Sequence, residues 1–233
     1  MNKLAIVGYG KMGRLIEQLA PEYDFSVSAR IDIGGDLSQA ADAQVAIEFT
    51  QPDAVAENIE KLAAMQVPVV VGTTGWLSHM DRARAAIEKY DSAMIWSPNF
   101  SIGVNVFARL VREAARLLAN EPEYGAWAWE IHHHTKKDAP SGTLIKLVEE
   151  MKTAGYARPI DRSSNRAGAH PGTHEIGFDS AADTITLRHT ARNREGFARG
   201  ALKAAQWIIS GGGAERRKRG VFEFSDILFR SDS

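Results

Sequence analysis

The apolar run Leu4-Ala5-Ile6-Val7 passes without a break into Gly8-Tyr9-Gly10-Lys11-Met12-Gly13, and Leu15-Ile16-Glu17-Gln18-Leu19 follows in helical register. A short continuous apolar run is what a parallel strand buried on both faces requires. A strand that turns at once into a helix through glycines in this spacing is the dinucleotide-binding fingerprint. Gly8 makes the tight turn, Gly10 lets a pyrophosphate approach the backbone, and Gly13 lets the helix pack close to the strand. The glycine triplet alone is a weak signal, and its strand-to-helix context is what strengthens it. Tyr9, Lys11 and Met12 belong to the same loop and join the candidate cofactor contacts.

The pattern then repeats. Phe25–Ile31 reads as a second strand, ending at Asp32, about 20 positions beyond the last glycine, where an acid meets the adenosine ribose hydroxyls. A plain loop aspartate before Gly34-Gly35 has the same spacing. Val45–Phe49, Val67–Val71 and Met94–Trp96 read as further strands, and Pro52-Asp53 starts a helix that runs to about Met65. Strands alternating with helices imply a doubly wound parallel sheet of the Rossmann type, with ligands beyond the carboxyl ends of the strands. Gly72-Thr73-Thr74-Gly75 and Ser97-Pro98-Asn99-Phe100 fall at such ends, where ordinary strand-to-helix turns would look alike.

The second half changes character. Ile102–Leu118 reads as a long amphipathic helix. Tyr156–Pro171, rich in glycine, serine and arginine, reads as a long loop. His174–Phe178 and Asp183–Thr190 read as an antiparallel hairpin, Phe197–Ile209 as a helix and Val221–Phe224 as a last strand. The expectation is an α/β dinucleotide-binding domain over 1–100 followed by a smaller α+β domain over 101–195 with an open, mostly antiparallel sheet.

Within that second domain, Ala126–Ile131 alternates like a strand and Leu144–Met151 repeats like a helix. Between them stands His132-His133-His134-Thr135-Lys136-Lys137-Asp138-Ala139-Pro140-Ser141-Gly142-Thr143. A helix start exposes unpaired N–H groups and favours a carboxylate or phosphate. Ser141 or Thr143 would cap the helix or donate to an anion, Gly142 admits a ligand to the backbone, and the histidines move protons near neutral pH. A simple cap under a solvated turn fits the spacing too. Strand alternation would put His132 and His134 on one face and His133 on the other, so a three-ligand metal site would need a remote donor, and no metal is expected.

Composition narrows the rest. With no cysteine, disulfides and thiolate chemistry are excluded. A net charge of −1 gives no reason to bind nucleic acid or membrane, and no apolar run approaches the roughly 18 residues of a membrane span. A strand that starts at Leu4 leaves no room for a signal peptide, so the expected location is the cytoplasm. The basic run Glu215–Arg219 after Gly211-Gly212-Gly213 reads as a solvated loop.

The segment Glu130–Thr143 resembles the signature of the dihydrodipicolinate reductase family. That signature is a Glu, an aliphatic residue, His-His, two free positions, Lys, one free position and Asp-Ala-Pro-Ser-Gly-Thr, and every fixed position is met. The resemblance implies NADH- or NADPH-dependent reduction of 4-hydroxy-tetrahydrodipicolinate, a cyclic dicarboxylate of the lysine and diaminopimelate route. It implies His132 and Lys136 as the catalytic pair, and His133, Ser141, Gly142 and Thr143 as carboxylate contacts. It also implies cofactor contacts from Gly72, Thr73 and Thr74 at the nicotinamide side and from Ser97, Pro98, Asn99 and Phe100 by the passage between domains, and a tail (196–233) that completes the first domain. A homotetramer is a further implication. The competing expectation is a Rossmann-type sensor that binds a nucleotide and an anion without turnover. Asp32 favours NADH, and Arg30, which shares its strand face, softens that preference, so NADH is expected to serve at least as well as NADPH.

Overall fold

The structure, a computed structural model, describes residues 1–210 and 218–229. Most of the basic run Glu215–Arg219 and the triple glycine before it lie outside the described residues. In chain order the elements begin with β1 (Asn2–Val7), α1 (Lys11–Leu19), β2 (Phe25–Ile31), β3 (Val45–Glu48), α2 (Pro52–Ala64), β4 (Val69–Val71), α3 (Met80–Lys89) and β5 (Ala93–Trp96). Next come α4 (Ile102–Leu117), β6 (Gly125–His132), α5 (Gly142–Thr153), β7 (Ile160–Arg166), β8 (Thr173–Asp179) and β9 (Thr184–Thr190). The chain closes with α6 (Glu195–Ile209), β10 (Gly220–Glu223) and α7 (Phe224–Leu228). They form two compact units, Met1–Ile102 with Glu195–Ser233, and Gly103–Arg194.

The first unit is a six-stranded sheet in the order β10-β5-β4-β3-β1-β2, parallel throughout. Its inner strands β1, β3, β4 and β5 are largely apolar runs because helices cover both faces. One face carries α1 and α6, with Ile16, Leu19, Ala201, Leu202 and Ala205 buried against Leu4, Ile6 and Ile47. The other carries α2 and α3, with Val55, Ile59, Leu62, Ala83 and Ile87 against Ala5, Val7 and Val69. The chain goes from β1 outward to β2, then back across to β3, so the strand order reverses between β1 and β3. The glycine loop leaves β1 at that reversal, where doubly wound folds place their ligands.

The second unit is a mixed sheet in the order β7-β6-β8-β9, with β6 and β7 parallel and the other pairs antiparallel. Phe107 and Val111 of α4 and Leu144, Leu147, Val148 and Met151 of α5 bury one face with Ala128, Ile176 and Phe178. The region Tyr156–Pro171, expected to be a loop, contains β7. Its residues Ile160-Asp161-Arg162-Ser163-Ser164-Asn165-Arg166 are mostly exposed or half-buried at a sheet edge, so no apolar alternation marks them. What makes them a strand is pairing with β6, which a local pattern does not record.

Candidate active site

In the first unit the fit to a dinucleotide is tested at the glycines. Gly8 has φ +95, and a Cβ there would lie 2.0 Å from the Phe49 carbonyl oxygen, so only glycine closes this turn. At Gly13 a Cβ would stand 2.4 Å from the Gly8 oxygen, which is the close helix–strand approach. At Gly10 a Cβ would meet nothing within 4 Å, and no side chain caps the start of α1. The first-turn N–H groups therefore face an open cradle, the setting that suits a pyrophosphate. Lys11 is exposed, whereas Tyr9 and Met12 are half-buried against the core.

The other candidates of this unit also sit at carboxyl ends of strands. Asp32 follows β2, exposed, with Oδ1 accepting from the Ile33 N–H at 2.9 Å. Thr73 follows β4 but is buried, donating to Glu48 Oε2 at 2.8 Å and accepting from the Thr50 N–H at 2.7 Å. Gly72 packs under the Phe49 ring, and Thr74 is exposed. Ser97 and Asn99 brace the turn after β5, with Ser97 Oγ donating to the Asn99 carbonyl at 2.8 Å, while Phe100 packs on Phe224 and Pro98 is exposed. Glu48, with no exposed surface, was not singled out from the sequence. Burial raises its pKa, against hydrogen bonds from Thr50, Thr73 and Asn58. Its signal was an acid inside the apolar run Val45-Ala46-Ile47-Glu48-Phe49.

In the second unit the site grows from strand register. Along β6 the buried positions alternate as Ala126, Ala128, Glu130 and His132, so the two polar residues occupy the buried side near the strand's end. Pairing sets His174 of β8 opposite Glu130 and Arg166 of β7 beside His132. Glu130 has no exposed surface. Its Oε1 accepts from the Ser141 N–H at 2.8 Å and from Arg166 Nη2 at 3.0 Å. His132 Nδ1 stands 2.9 Å from Oε2, off the line of a hydrogen bond, and neither atom has a hydrogen-bond partner among the described residues. His174 Nε2 lies 3.5 Å from the same oxygen and 3.1 Å from Ser141 Oγ.

Charge follows from this packing. Burial alone would raise the Glu130 carboxyl, but hydrogen bonds from Ser141 and Arg166 outweigh it and hold its pKa at about 2. Burial lowers His174 to about 4, helped by the charge on His132 and opposed by Glu130. His132 is also lowered, by burial first, with Glu130 opposing and Lys136 and Arg166 adding to the fall. The cluster is an anion beneath two histidines that favour the neutral state.

β6 ends at His132, so strand alternation does not reach His134. His133 and His134 lie in the turn, with His133 Nδ1 2.7 Å from Thr135 Oγ1 and His134 Nδ1 2.8 Å from the Gly168 carbonyl oxygen. The donor remote from the histidine run is His174, since Glu130, His132 and His174 bring ligand atoms within 4.8 Å of one another. Arg166 on the same carboxylate already compensates its charge, which disfavours a cation there.

Ser141 is the N-cap of α5, its Oγ accepting from the Leu144 N–H at 3.2 Å, and it is 2% exposed. Its hydroxyl is committed inward, which leaves Gly142 exposed and Thr143 half-buried at the helix start. A carboxylate stands there already. Asp138 accepts from Lys136 Nζ at 2.7 and 2.9 Å, and the nearby Gly142 N–H favours its charged form. Burial would raise its pKa, but these contacts hold it below the usual value. Lys136 thus grips an acid beside the start of α5.

Sequence reasoning missed Arg166 and His174 because both reach the site by strand pairing. It also missed Gly172, with φ +136, where a Cβ would lie 2.8 Å from His132 Nε2.

Comparison with known proteins agrees with this architecture. Residues 2–100 match the family model described as dihydrodipicolinate reductase, N-terminus, and residues 103–228 match dihydrodipicolinate reductase, C-terminus. A 4-hydroxy-tetrahydrodipicolinate reductase of Christiangramia forsetii is 36% identical over 97% of this chain and 97% of its own. One from Archaeoglobus fulgidus is 35% identical over 94% of this chain and 96% of its own. Among solved structures, dipicolinate-bound dihydrodipicolinate reductase from Paenisporosarcina sp. TG-14 superposes with a TM-score of 0.79 at 20% identity, over 97% of this chain and 99% of that one. That likeness speaks for the fold, and the sequence matches speak for the family. The chain belongs to the dihydrodipicolinate reductase family.

Proposed function

We infer that this chain is an NAD(P)H-dependent 4-hydroxy-tetrahydrodipicolinate reductase of diaminopimelate and lysine biosynthesis. The observation that carries the reading is the grip of Lys136 on a carboxylate beside the start of α5, a few residues after a histidine set over a buried acid. A sensor of nucleotide and anion would need the grip but not the histidine.

The reduced nicotinamide, when bound, supplies a hydride to a ring carbon conjugated with the substrate imine. Gly8, Gly10 and Gly13 would hold the pyrophosphate, with Tyr9, Lys11 and Met12 lining the loop. Asp32 would accept from a ribose hydroxyl. Gly72, Thr73 and Thr74 would serve through their backbone, Thr73 because its hydroxyl is already engaged. Ser97, Pro98, Asn99 and Phe100 would shape the exit from β5.

Hydride addition leaves an enamine-like negative charge on the former imine, and His132 and Lys136 act as the proton donors or acceptors that neutralise it. Glu130 opposes the loss of charge that burial imposes on His132, which keeps the ring able to hold a proton. Such acid catalysis is worth ~10² to 10⁴ in rate. The substrate carboxylates would take the place of Asp138 at Lys136 and at the Gly142 and Thr143 N–H groups, with His133 beside them. Ser141 would contribute by fixing the helix start. NADH is expected to be used at least as well as NADPH, and the working form to be a homo-oligomer.

The direct test is optical. The purified chain should oxidise NADH or NADPH only when given the product of dihydrodipicolinate synthase, and pyridine-2,6-dicarboxylate should compete with that substrate. Nucleotide binding without substrate-dependent oxidation would return the sensor reading.

A further inference from the structure

We propose that Glu17 of α1 sets the choice between NADH and NADPH by holding Arg30, the cation near the end of β2 two residues before Asp32, in an internal ion pair. The inference rests on the reading that the Gly8–Gly13 loop binds a nicotinamide dinucleotide.

Both oxygens of Glu17 are engaged. Oε1 accepts from Arg30 Nε at 2.8 Å and also from Arg30 Nη2, while Oε2 accepts from the Tyr9 hydroxyl. Tyr9 stands between Gly8 and Gly10, and the Arg14 guanidinium lies 5.4 Å from its ring centroid. One carboxylate therefore ties the glycine loop to β2, along the edge where the fold receives the adenosine ribose. The hydrogen bond with Arg30 holds the Glu17 pKa below its ordinary value, and Glu17 raises that of Arg30, so each secures the other's charge.

The two cofactors meet this edge differently. The ribose 2′-hydroxyl of NADH needs an acceptor, and the exposed Asp32 carboxylate offers one. The 2′-phosphate of NADPH needs a guanidinium edge with two parallel donors. In Arg30 one such edge, Nε with Nη2, is spent on Glu17. A phosphate must either detach Arg30 from Glu17 or take its remaining Nη1 side, and in both cases it meets an acid whose charge repels it. These penalties fall on NADPH alone. The pair is partly exposed, and such pairs add little to stability, so its removal should leave the fold intact.

The experiment measures dissociation constants of NADH and NADPH by calorimetry on the full chain at fixed ionic strength. It compares wild type, Glu17→Gln, and the double variant Glu17→Gln, Arg30→Ala. Glu17→Gln should tighten NADPH about tenfold, equal to about 1.4 kcal/mol, and leave NADH within about twofold. The double variant should lose that gain. An unchanged ratio in Glu17→Gln, equal changes for both nucleotides, or a gain that survives loss of Arg30 would overturn the role of Glu17 alone. Wild-type protein that binds neither nucleotide would overturn the dinucleotide reading along with it.

Discussion

Glu130 keeps its charge with no exposed surface because the Ser141 N–H and Arg166 replace the water it lost. Its effect on His132 has a sign that can be tested. The Glu130 charge raises the His132 pKa against burial, so Glu130→Gln should lower it further. If His132 must be protonated to act, kcat/KM falls as pH rises through that pKa, and the variant's limb should move to lower pH. An unmoved limb, in protein shown to be folded by circular dichroism, would detach Glu130 from His132. His132→Gln should lower kcat far more than it raises KM, since a proton is needed mainly in the transition state. Gly172→Ala should mimic it in part, because the new methyl would press on His132 Nε2 and the backbone would be held at φ +136. We expect a loss of at least about tenfold in kcat, part of the ~10² to 10⁴ that acid catalysis contributes.

At the scale of elements, the candidate site is built around two short ends, the C-terminal end of β6 and the first turn of α5. Ser141 joins them, since its N–H meets Glu130 and its hydroxyl caps the helix. Ser141→Ala removes the cap but keeps the N–H, so thermal denaturation should show a loss of about 1 kcal/mol with Glu130 still held. The helix start was legible in the sequence because Ser-Gly-Thr before a 3.6-residue repeat is a local signal. The cross-strand half of the site was not. Arg166 lies on an exposed polar strand with no periodicity of its own, and His174 owes its role to standing opposite Glu130. Register of this kind is decided by partners far along the chain. The glycine loop was legible for the opposite reason, since Gly8 and Gly13 answer steric demands within a few residues.

For the whole molecule, the buried cluster makes stability depend on acid. His174 holds a pKa of about 4 when folded against 6.5 ordinarily, so the unfolded chain binds more protons between those values. Stability should therefore fall as pH drops from 6.5 toward about 4. Glu130, at about 2 against 4.5, extends the fall from pH 4.5 downward by the same sign. Urea midpoints across this range should show the slope, and His174→Gln should flatten its upper part. A slope unchanged in that variant would place the titration elsewhere. The central claim is that Lys136 acts on the substrate and not on the nucleotide, as the grip on Asp138 supports. The most direct measurement compares kcat/KM and the NADH dissociation constant in wild type and Lys136→Ala, with the product of dihydrodipicolinate synthase as substrate. We expect kcat/KM to fall by ~10² or more, as loss of an acid–base group implies, with nucleotide affinity nearly unchanged. A variant that keeps more than about a tenth of wild-type kcat/KM, well short of the loss an acid–base group implies, would contradict it.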